Sequence, residues 1–310
     1  MPSSRRFITG ILISVAGALC FSTKAVFVKL AYMDSAPEPL TLLAVRMLFS
    51  LPFFAVSAAV GLWRNPAPRS GKQWVAIAAT GLLGYHISSL LDFAGLQYIS
   101  AGLERLILFT YPTLVLLLSA LLFRERVTAR QWMAVGLSYA GIVLAFRGEY
   151  GEGPADKDLV RGAVLVFLCA ITYGSYLMAS ARIIRTTSPS VFNSFAMLAA
   201  CTGVLLHHGI AETGSLSELP VNTWWYGFLM AVISTVIPSY LVSESIRRIG
   251  GGNTAIIASL GPVSTIFMAW WLLDERVTLL QLAGTAAILC GVWLVASTGK
   301  AVEPNAGPNG

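Results

Sequence analysis

Among the charged side chains inside long apolar segments of the sequence, four are candidates for a binding site. They are Lys24, Arg46, Asp92 and Arg105. A charge at the centre of a membrane-spanning helix costs about 2.5–3.5 kcal/mol on insertion scales, so it usually faces a cavity or a partner. Three cations and one carboxylate predict a site for a carboxylate, with Asp92 available to Lys24 or to a substrate amine. Two alternatives remain: a static Lys24–Asp92 pair, or Lys24 and Arg105 side chains that extend to the outer membrane surface.

Aromatic and hydroxyl side chains in the same segments predict a surface for an apolar solute. An aromatic belt at the membrane surface does not explain Tyr85, Tyr111, Tyr173 and Tyr176, because they lie away from the segment ends. An apolar body could stack on these rings, and core packing is the alternative. The other candidate cavity residues of these two types are Ser22, Thr23, Tyr240, Ser243 and Trp270.

Two further ionisable residues have competing interpretations. A lone histidine in an apolar helix, such as His86, is more often hydrogen-bonded to its neighbours than used as a proton carrier. Proton coupling through His86 stays open as the alternative. Glu244 precedes Arg248 by one turn, which predicts a surface helix pair. Since Tyr240 lies one turn before Glu244, a place at the mouth of the cavity is the alternative for Glu244.

Prolines and glycines mark positions at which the segments could bend. Pro112, Pro238 and Pro262 each remove a helix hydrogen bond and permit a kink, so we expect hinges there. The Gly-rich stretches 98–102 and 249–252 are candidate flexible links between helices.

The composition requires elements that are stable in lipid. The 310-residue chain is 56% hydrophobic and 12% charged, whereas soluble domains carry about 25% charge. Ten segments have roughly the 20 apolar residues that a spanning helix needs, so we predict an all-α membrane protein. The segments are 8–32, 38–62, 73–97, 101–122, 128–147, 160–184, 189–210, 222–246, 254–273 and 279–297.

The same composition argues against other classes of protein. The net charge of +6 is scattered between apolar runs, so we expect no nucleic-acid partner. The four cysteines all lie in apolar segments and form no Cys-x-x-Cys pair, which argues against a metal site or a disulfide framework. No His-Glu-x-x-His, Gly-x-Ser-x-Gly or paired-carboxylate pattern lies inside the segments, so we expect neither an enzyme nor a cofactor.

The chain repeats itself at a spacing of 150 residues. Phe-Arg-Glu-Arg-Val-Thr at 123–128 reappears as Leu-Asp-Glu-Arg-Val-Thr at 273–278, and Pro39 matches Pro189. We interpret this motif as a structural turn in which the Thr caps the next helix. Five segments lie on each side of the loop 147–160, so the second copy must cross the membrane upside down. This predicts two inverted five-helix repeats, 7–147 and 160–297, around a central cavity, and a disordered tail at 298–310.

The basic residues predict the orientation. With the N-terminus in the cytoplasm, most loop lysines and arginines, from Arg5 to Lys300, lie on the cytoplasmic side. The loops on the other side hold Arg147, Lys157, Arg161 and Arg276. This is the positive-inside asymmetry, and it places both termini in the cytoplasm and the four charges of the apolar segments in the outer half of the membrane.

These patterns resemble the EamA-type drug/metabolite transporters. The matching residues are Pro112 with Arg-Glu-Arg-Val-Thr at 124–128, and Pro262 with Asp-Glu-Arg-Val-Thr at 274–278. The resemblance covers residues 7–297. It implies ten spans in two inverted repeats, with helices 1, 3, 4, 6, 8 and 9 lining the cavity and helices 5 and 10 outside. The aromatic-rich segments are most similar to those of bacterial inner-membrane amino-acid exporters.

We therefore expect a secondary transporter in a bacterial inner membrane. It would export small amphipathic metabolites, including aromatic amino acids, by alternating access, and the direction rests on the resemblance. Its partners would be the solute and the lipid bilayer, and a coupling proton stays open. The alternative is an exchanger or facilitator for phosphorylated solutes or nucleotide sugars, for which a basic cavity is suited.

Overall fold

The structure is a computed structural model that describes residues 4–64, 70–123, 127–150, 156–211 and 216–298. All regular elements in these ranges are helical, as predicted. A helix satisfies its backbone hydrogen bonds internally, which lipid requires. The charged part of the first repeat motif, 124–126, and the predicted disordered tail beyond Thr298 lie outside the described residues.

The α-helices follow one another with short connections. In chain order they are α1 Ser4–Ser35, α2 Pro39–Arg64, α3 Gly71–Gly81, α4 Ser88–Leu96, α5 Ala101–Leu108, α6 Tyr111–Phe123, α7 Ala129–Glu149, α8 Asp156–Ile183, α9 Pro189–Ala211, α10 Val221–Ala231, α11 Ile237–Ala258, α12 Leu260–Leu273 and α13 Leu279–Thr298. A short 3-10 turn, Leu216–Glu218, precedes α10.

Within the described ranges, seven helical stretches are long and apolar enough to cross a membrane. They are Phe7–Ser35, Pro39–Arg64, Gly71–Leu96, Ala101–Leu122, Lys157–Ile183, Pro189–Ala211 and Val221–Ile249. Two shorter apolar helices, Leu260–Leu273 and Leu279–Leu294, fall in the predicted ninth and tenth segments. The predicted fifth segment forms α7. The chain is thus a multi-pass membrane protein.

Several helix starts follow directly from the local sequence. Pro39 and Pro189 are the first residues of α2 and α9, where a missing N–H costs no hydrogen bond. The Thr128 hydroxyl accepts the Gln131 N–H at 3.3 Å, and the Gln131 side chain accepts the Thr128 N–H at 2.8 Å. Thr278 likewise accepts a backbone N–H of α13 at 3.1 Å. The predicted capping role of the two threonines is confirmed.

Irregular turns occur at matching places in the two halves of the chain. The π-helical turn Leu82–Ile87 joins α3 to α4, and the π-helical turn Val232–Val236 joins α10 to α11. A break at 109–110 separates α5 from α6, and Ser259 separates α11 from α12. Turns of this kind bend helices. Because matching turns lie 150 residues apart, the bends belong to the repeated pattern.

The three predicted hinge prolines all follow one of these turns. Pro112 is the second residue of α6, Pro238 the second of α11 and Pro262 the third of α12. Proline costs little in the first turn of a helix. Pro112 and Pro262 therefore follow a break between two helices, whereas Pro238 lies just after the π-helical turn within the continuous helical stretch Val221–Ile249. Hinge motion at these places stays a prediction.

The two predicted Gly-rich links differ in backbone structure. Residues 98–102 contain the break between α4 and α5, whereas residues 249–252 lie inside α11. Ser245 and Thr254 nevertheless bring their hydroxyls to 2.9 Å. A straight helix would separate residues nine positions apart by about 13.5 Å. The chain must therefore turn sharply between them, although its backbone is helical throughout.

Helices of the two halves pack in reciprocal pairs. α7 packs along α13 and α2 along α9, while α1 packs on α11 and α12, and α8 on α4 and α6. Exchanging each helix for its counterpart 150 residues away reproduces these pairings. The α7–α13 contact depends on glycine, because a Cβ on Gly284 would lie 2.5 Å from the Gly141 carbonyl oxygen.

The largest buried apolar cluster joins α1, α2, α4, α5, α9, α10 and α12. Fully buried members include Val28, Leu43, Phe93 and Met230. Asp92 immediately precedes Phe93 in α4 and is itself only 1% exposed. A carboxylate is therefore buried at the edge of the apolar core, where charged groups are rare unless they are paired.

Candidate functional site

A cavity of about 380 Å³ lies among helices of both halves of the chain. Small-molecule sites span about 300–1,000 Å³, so this volume suits one small solute. Residues of α1, α2, α4, α5 and α6 line it, together with residues of α8, α11, α12 and both π-helical turns. The charged residues among them all belong to the first half and are Lys24, Arg46, Asp92 and Arg105.

Lys24 lies at the centre of the charged cluster. Its Nζ donates to Asp92 Oδ2 at 2.7 Å and to Glu104 Oε1 at 3.2 Å. The two carboxylates are 1% and 0% exposed, and a buried carboxylate without a cation would cost about 3–5 kcal/mol. The predicted Lys24–Asp92 pair is therefore present, and it ties α1 to α4 and α5.

Arg105 follows Glu104 in α5 and faces inward. Its Nε donates to Thr265 Oγ1 at 3.1 Å, and its Nη2 donates to the Phe21 carbonyl oxygen at 2.9 Å. Its Nε is also 4.0 Å from Glu104 Oε2. These contacts connect α5 with α1 and α12. The alternative that the Arg105 side chain extends to the membrane surface is therefore wrong.

Arg46 reaches the cavity from α2 and is 5% exposed. Its Nε donates to Thr235 Oγ1 at 3.0 Å, and its guanidinium carbon lies 5.6 Å from the centre of the Phe93 ring. Thr235 in turn donates to the Met230 carbonyl oxygen at 2.9 Å within the second π-helical turn. A hydrogen bond and a cation–π contact thus fix the guanidinium.

Tyrosines form one wall of the cavity. Tyr85, Tyr111 and Tyr173 line it, and the rings of Tyr111 and Tyr173 meet edge to face at 5.3 Å. Tyr176 packs behind them, with its hydroxyl 3.0 Å from the Tyr85 hydroxyl and its ring 5.7 Å from that of Tyr173. The wall combines the exposed aromatic surface and the core packing that the sequence left as alternatives.

The two predicted hydroxyl residues of α1 have different places. Ser22 lines the cavity, and its hydroxyl lies 2.8 Å from the Ala18 carbonyl oxygen and 3.0 Å from that of Gly261. Thr23 does not line the cavity. Its hydroxyl is 2.7 Å from that of Ser234, which does. Thr23 therefore supports a cavity residue from behind.

Other predicted cavity residues do not line this cavity. Tyr240 and Trp270 are about half exposed on the outside of the helix bundle. Glu244 pairs with Arg247 at 2.7 Å and with Arg248 at 2.6 Å, so the predicted helix pair is confirmed. The side chain of Ser243 lies outside the described residues.

His86 finds a partner that the sequence did not predict. Its Nε2 lies 3.1 Å from Nδ1 of His207 in α9, and not beside a hydroxyl of its own helix. The ring belongs to the first π-helical turn and does not line the cavity. A hydrogen bond between two imidazoles requires one of them to be neutral.

Glu104 is the important residue that the sequence analysis missed. It is 0% exposed, binds Lys24 and adjoins Arg105. Its only signal is its place beside Arg105 at the start of an apolar segment. Charges are tolerated at such ends, so the sequence gives no reason to bury it.

Two further carboxylates hold the start of α5. Glu275 accepts the N–H groups of Ala101 at 2.9 Å and Gly102 at 3.3 Å, and Glu149 accepts the Ser100 N–H at 2.7 Å. Burial raises the pKa of the Glu275 carboxyl above its ordinary value, and the Ala101 N–H acts against this rise. Negative charge is favourable at a helix N-terminus, so these residues position the helix that carries Glu104.

Comparison with known proteins agrees with this architecture. The EamA-like transporter family model matches the chain twice, over residues 8–147 and 160–297. The uncharacterized transporter YcbK of Bacillus subtilis is 31% identical over 92% of this chain and 91% of its own length. The uncharacterized transporter sll1319 of Synechocystis is 24% identical over 97% of this chain and 96% of its own length.

One solved crystal structure has the same fold, with a TM-score of 0.64 and 21% sequence identity over 95% of this chain and 99% of the other. The family match over most of the sequence and the relatives named as transporters point to transport and not to enzymatic catalysis. The chain belongs to the EamA-like transporter family.

Proposed function

We propose that this protein is a secondary transporter that exports small amphipathic metabolites, amino acids with aromatic side chains among them, by alternating access. The observation that carries the proposal is the cavity itself, which joins a buried charged cluster to a wall of tyrosines. A zwitterionic head would meet the charges, and an apolar body would lie on the rings.

The proposed architecture is ten membrane-spanning helices in two inverted five-helix repeats, 7–147 and 160–297. The two family matches, the reciprocal helix pairs and the matching π-helical turns support it. In transporters of this kind the solute binds near mid-membrane, where the repeats meet, and one part rocks against the other. The cavity has lining residues from both halves, as this mechanism requires.

We place the protein in a bacterial inner membrane with both termini in the cytoplasm. The support is the positive-inside asymmetry of the loops. The outward direction follows from the likeness of the aromatic-rich segments to amino-acid exporters. A gradient or the solute itself would supply the energy, and His86 with His207 is a candidate for a coupling proton.

The second candidate is an exchanger or facilitator for phosphorylated solutes or nucleotide sugars. Three cations, Lys24, Arg46 and Arg105, favour it. Against it, Lys24 is already bound to Asp92 and Glu104. With these two carboxylates the three cations leave the cluster a net charge of only one positive unit. A phosphate dianion would also meet the Asp92 carboxylate, and this like-charge contact is unfavourable.

Counterflow into proteoliposomes that contain the purified protein tests the proposal. The panel holds amino acids, sugar phosphates and nucleotide sugars, each measured with and without a pH gradient. We expect counterflow of tryptophan or threonine and none of the phosphates. Lys24→Ala and Asp92→Asn should abolish it, whereas Lys72→Ala, at an exposed position, should not. Counterflow of the phosphates alone would favour the second candidate, and no flux of any solute would refute both.

A further inference from the structure

Two buried carboxyls share one cation at the centre of the charged cluster. Lys24 Nζ lies 2.7 Å from Asp92 Oδ2 and 3.2 Å from Glu104 Oε1, and the two acidic residues are 1% and 0% exposed. One ammonium group balances one negative charge. A second buried negative charge would need another cation or a proton beside it.

The neighbouring Arg105 does not complete the pair. Its Nε is 4.0 Å from Glu104 Oε2, beyond hydrogen-bond distance, and its hydrogen bonds go to Thr265 and to the Phe21 carbonyl oxygen. Among the described residues, Asp92 Oδ1 and Glu104 Oε2 accept no hydrogen bond from an N–H or hydroxyl donor. Each carboxyl therefore has one buried oxygen that needs a hydrogen from another source.

The carboxyls of Asp92 and Glu104 are hydrogen-bonded to each other. An ionised carboxylate only accepts hydrogen bonds, so one member of the pair must carry a proton and donate it. Two ionised carboxylates side by side would repel each other instead. With Lys24, Arg46 and Arg105, the cluster then has a net charge of two positive units, which falls to one when the proton leaves.

Other ionisable groups lie close enough to interact with the charge of the pair. They are Lys24 and Tyr32 of α1, Arg46 of α2, Arg105 of α5, Cys169 of α8 and Glu275 of the turn after α12. Lysine, arginine, tyrosine and cysteine ordinarily keep their protons above neutral pH. Glu275 is bound at the start of α5 and does not line the cavity. The carboxyl pair is therefore the group of this cluster that can gain and lose a proton at the cavity.

We propose that the Asp92–Glu104 carboxyl pair is the proton-binding site through which a pH gradient drives transport. In the protonated form one carboxyl donates its O–H to the other. On release the proton passes to water in the cavity, which Lys24 and Asp92 line, and two carboxylates remain beside Lys24. This inference rests on the proposed function and adds its coupling ion, which it assigns to the carboxyl pair and not to His86 and His207.

Infrared spectroscopy of the purified protein tests the shared proton without a transport assay. Asp92→Asn and Glu104→Gln should each remove the carbonyl band of one protonated carboxyl at neutral pH, because the carboxylate that is left pairs with Lys24 and stays ionised. Glu244→Gln is the matched control. Glu244 is bound to Arg247 and Arg248, so its replacement should remove only the band of an ionised carboxylate. The same result for Asp92→Asn or Glu104→Gln would overturn the inference.

Proteoliposomes with the membrane potential held at zero test the coupling. If one proton moves per solute, a pH difference of about one unit should sustain about a tenfold tryptophan gradient across wild-type vesicles. Glu104→Gln should lose this accumulation, measured relative to counterflow in the same vesicles, and Glu244→Gln should keep it.

The wild-type protein alone can decide the coupling. Tryptophan counterflow without accumulation under a pH difference of either direction would overturn the inference and leave the proposed transport function standing. Loss of the accumulation in His86→Gln, with its retention in Glu104→Gln, would assign the proton to the histidines and also overturn the inference. A wild-type protein that moves no solute would overturn both proposals.

Discussion

The two halves of the chain share their backbone and differ in their charges. Both contain a π-helical turn and a later break at matching positions. The charged residues of the cavity belong to the first half alone. At the matching positions Arg46 is replaced by Ala196, and Asp92 by Val242. The fold is built without these charges in one half, so architecture does not explain their presence in the other half.

The comparison separates what the repeat conserves from what each half adds. π-helical turns and helix pairings recur in both halves, and both turns contribute residues to the lining of the cavity. The buried charges, in contrast, lie where a solute is expected to bind. Burying them costs free energy, and an apolar core would be at least as stable. The following predictions test this division, from the largest expected effect to the smallest.

Removing the central cation should have the largest effect. Lys24→Ala leaves two buried carboxylates without their partner, which should destabilise the protein by about 3–5 kcal/mol. With a shift of two residues from the 150-residue offset, Lys24 aligns with the neutral Tyr176. Tyr176→Phe loses one hydrogen bond to Tyr85, worth about 0.5–1.5 kcal/mol. Chemical unfolding in detergent micelles measures both. Similar losses for the two variants would contradict a special role of the charged half.

A double variant sharpens this result. Lys24→Ala combined with Asp92→Asn removes one of the two stranded carboxylates, so part of the lost free energy of unfolding should return. Additive losses in the double variant would mean that Lys24 and Asp92 are not coupled, although Nζ and Oδ2 are 2.7 Å apart.

The α7–α13 contact tests the part that the two halves share. Gly284→Leu introduces a side chain whose Cβ would lie 2.5 Å from the Gly141 carbonyl oxygen. Such overpacking costs about 1–3 kcal/mol. Gly141→Leu should cost a similar amount, because its Cβ would lie 2.6 Å from the Gly284 carbonyl oxygen. Gly136→Leu, at a position with nothing within 4 Å, is the control on the same helix; equal losses at all three sites would refute the contact.

The turn after α12 should give a smaller, pH-dependent effect. Glu275→Ala leaves two N–H groups of α5 without an acceptor and should cost about 1 kcal/mol, whereas Glu275→Gln keeps an acceptor and should cost less. Because burial raises the pKa of Glu275, the folded state binds this proton more tightly than the unfolded state. Wild-type stability should therefore fall as pH rises from the unfolded pKa through the folded pKa. The Gln variant should lack this fall, and an identical pH profile would contradict the assignment.

The smallest effect is expected at a predicted hinge proline. The first π-helical turn forms without a proline, since Ser88 occupies the position that matches Pro238. Pro238→Ala should thus keep the second turn, with a change in stability under about 1 kcal/mol and nearly unchanged flux. A large loss of flux at unchanged stability would instead assign hinge motion to the proline.

The sequence predicted the elements well and the site in part. Long apolar runs, bounded by Pro, Thr and Gly, predicted where the helices lie. In lipid every backbone N–H and C=O must form a hydrogen bond within the protein, and few structures other than helices achieve this. The bends were harder to locate. Prolines drew attention to the residue after each bend, whereas the π-helical turn at Leu82–Ile87 contains no proline.

The sequence could not show how each helix is rotated about its axis, and therefore which of its side chains face the cavity. A helix that is apolar all round has no marked face, so Tyr240 and Trp270 could not be separated from Tyr111 and Tyr173 by pattern. Rare charges were better guides, since Lys24 and Asp92 could be paired from the sequence. Glu104 and His207 were missed because each lies near a segment end, where polar residues need no special explanation.

Labelling of single cysteines from either face of the membrane tests the central claim, that two inverted halves enclose one cavity. In a variant without the four native cysteines, Ala129→Cys and Leu279→Cys place one thiol each beside the Thr128 and Thr278 turns, both at exposed positions. A membrane-impermeant thiol reagent should reach Cys at 129 from the cytoplasmic side and Cys at 279 from the opposite side. Labelling of both from the same side would contradict the account.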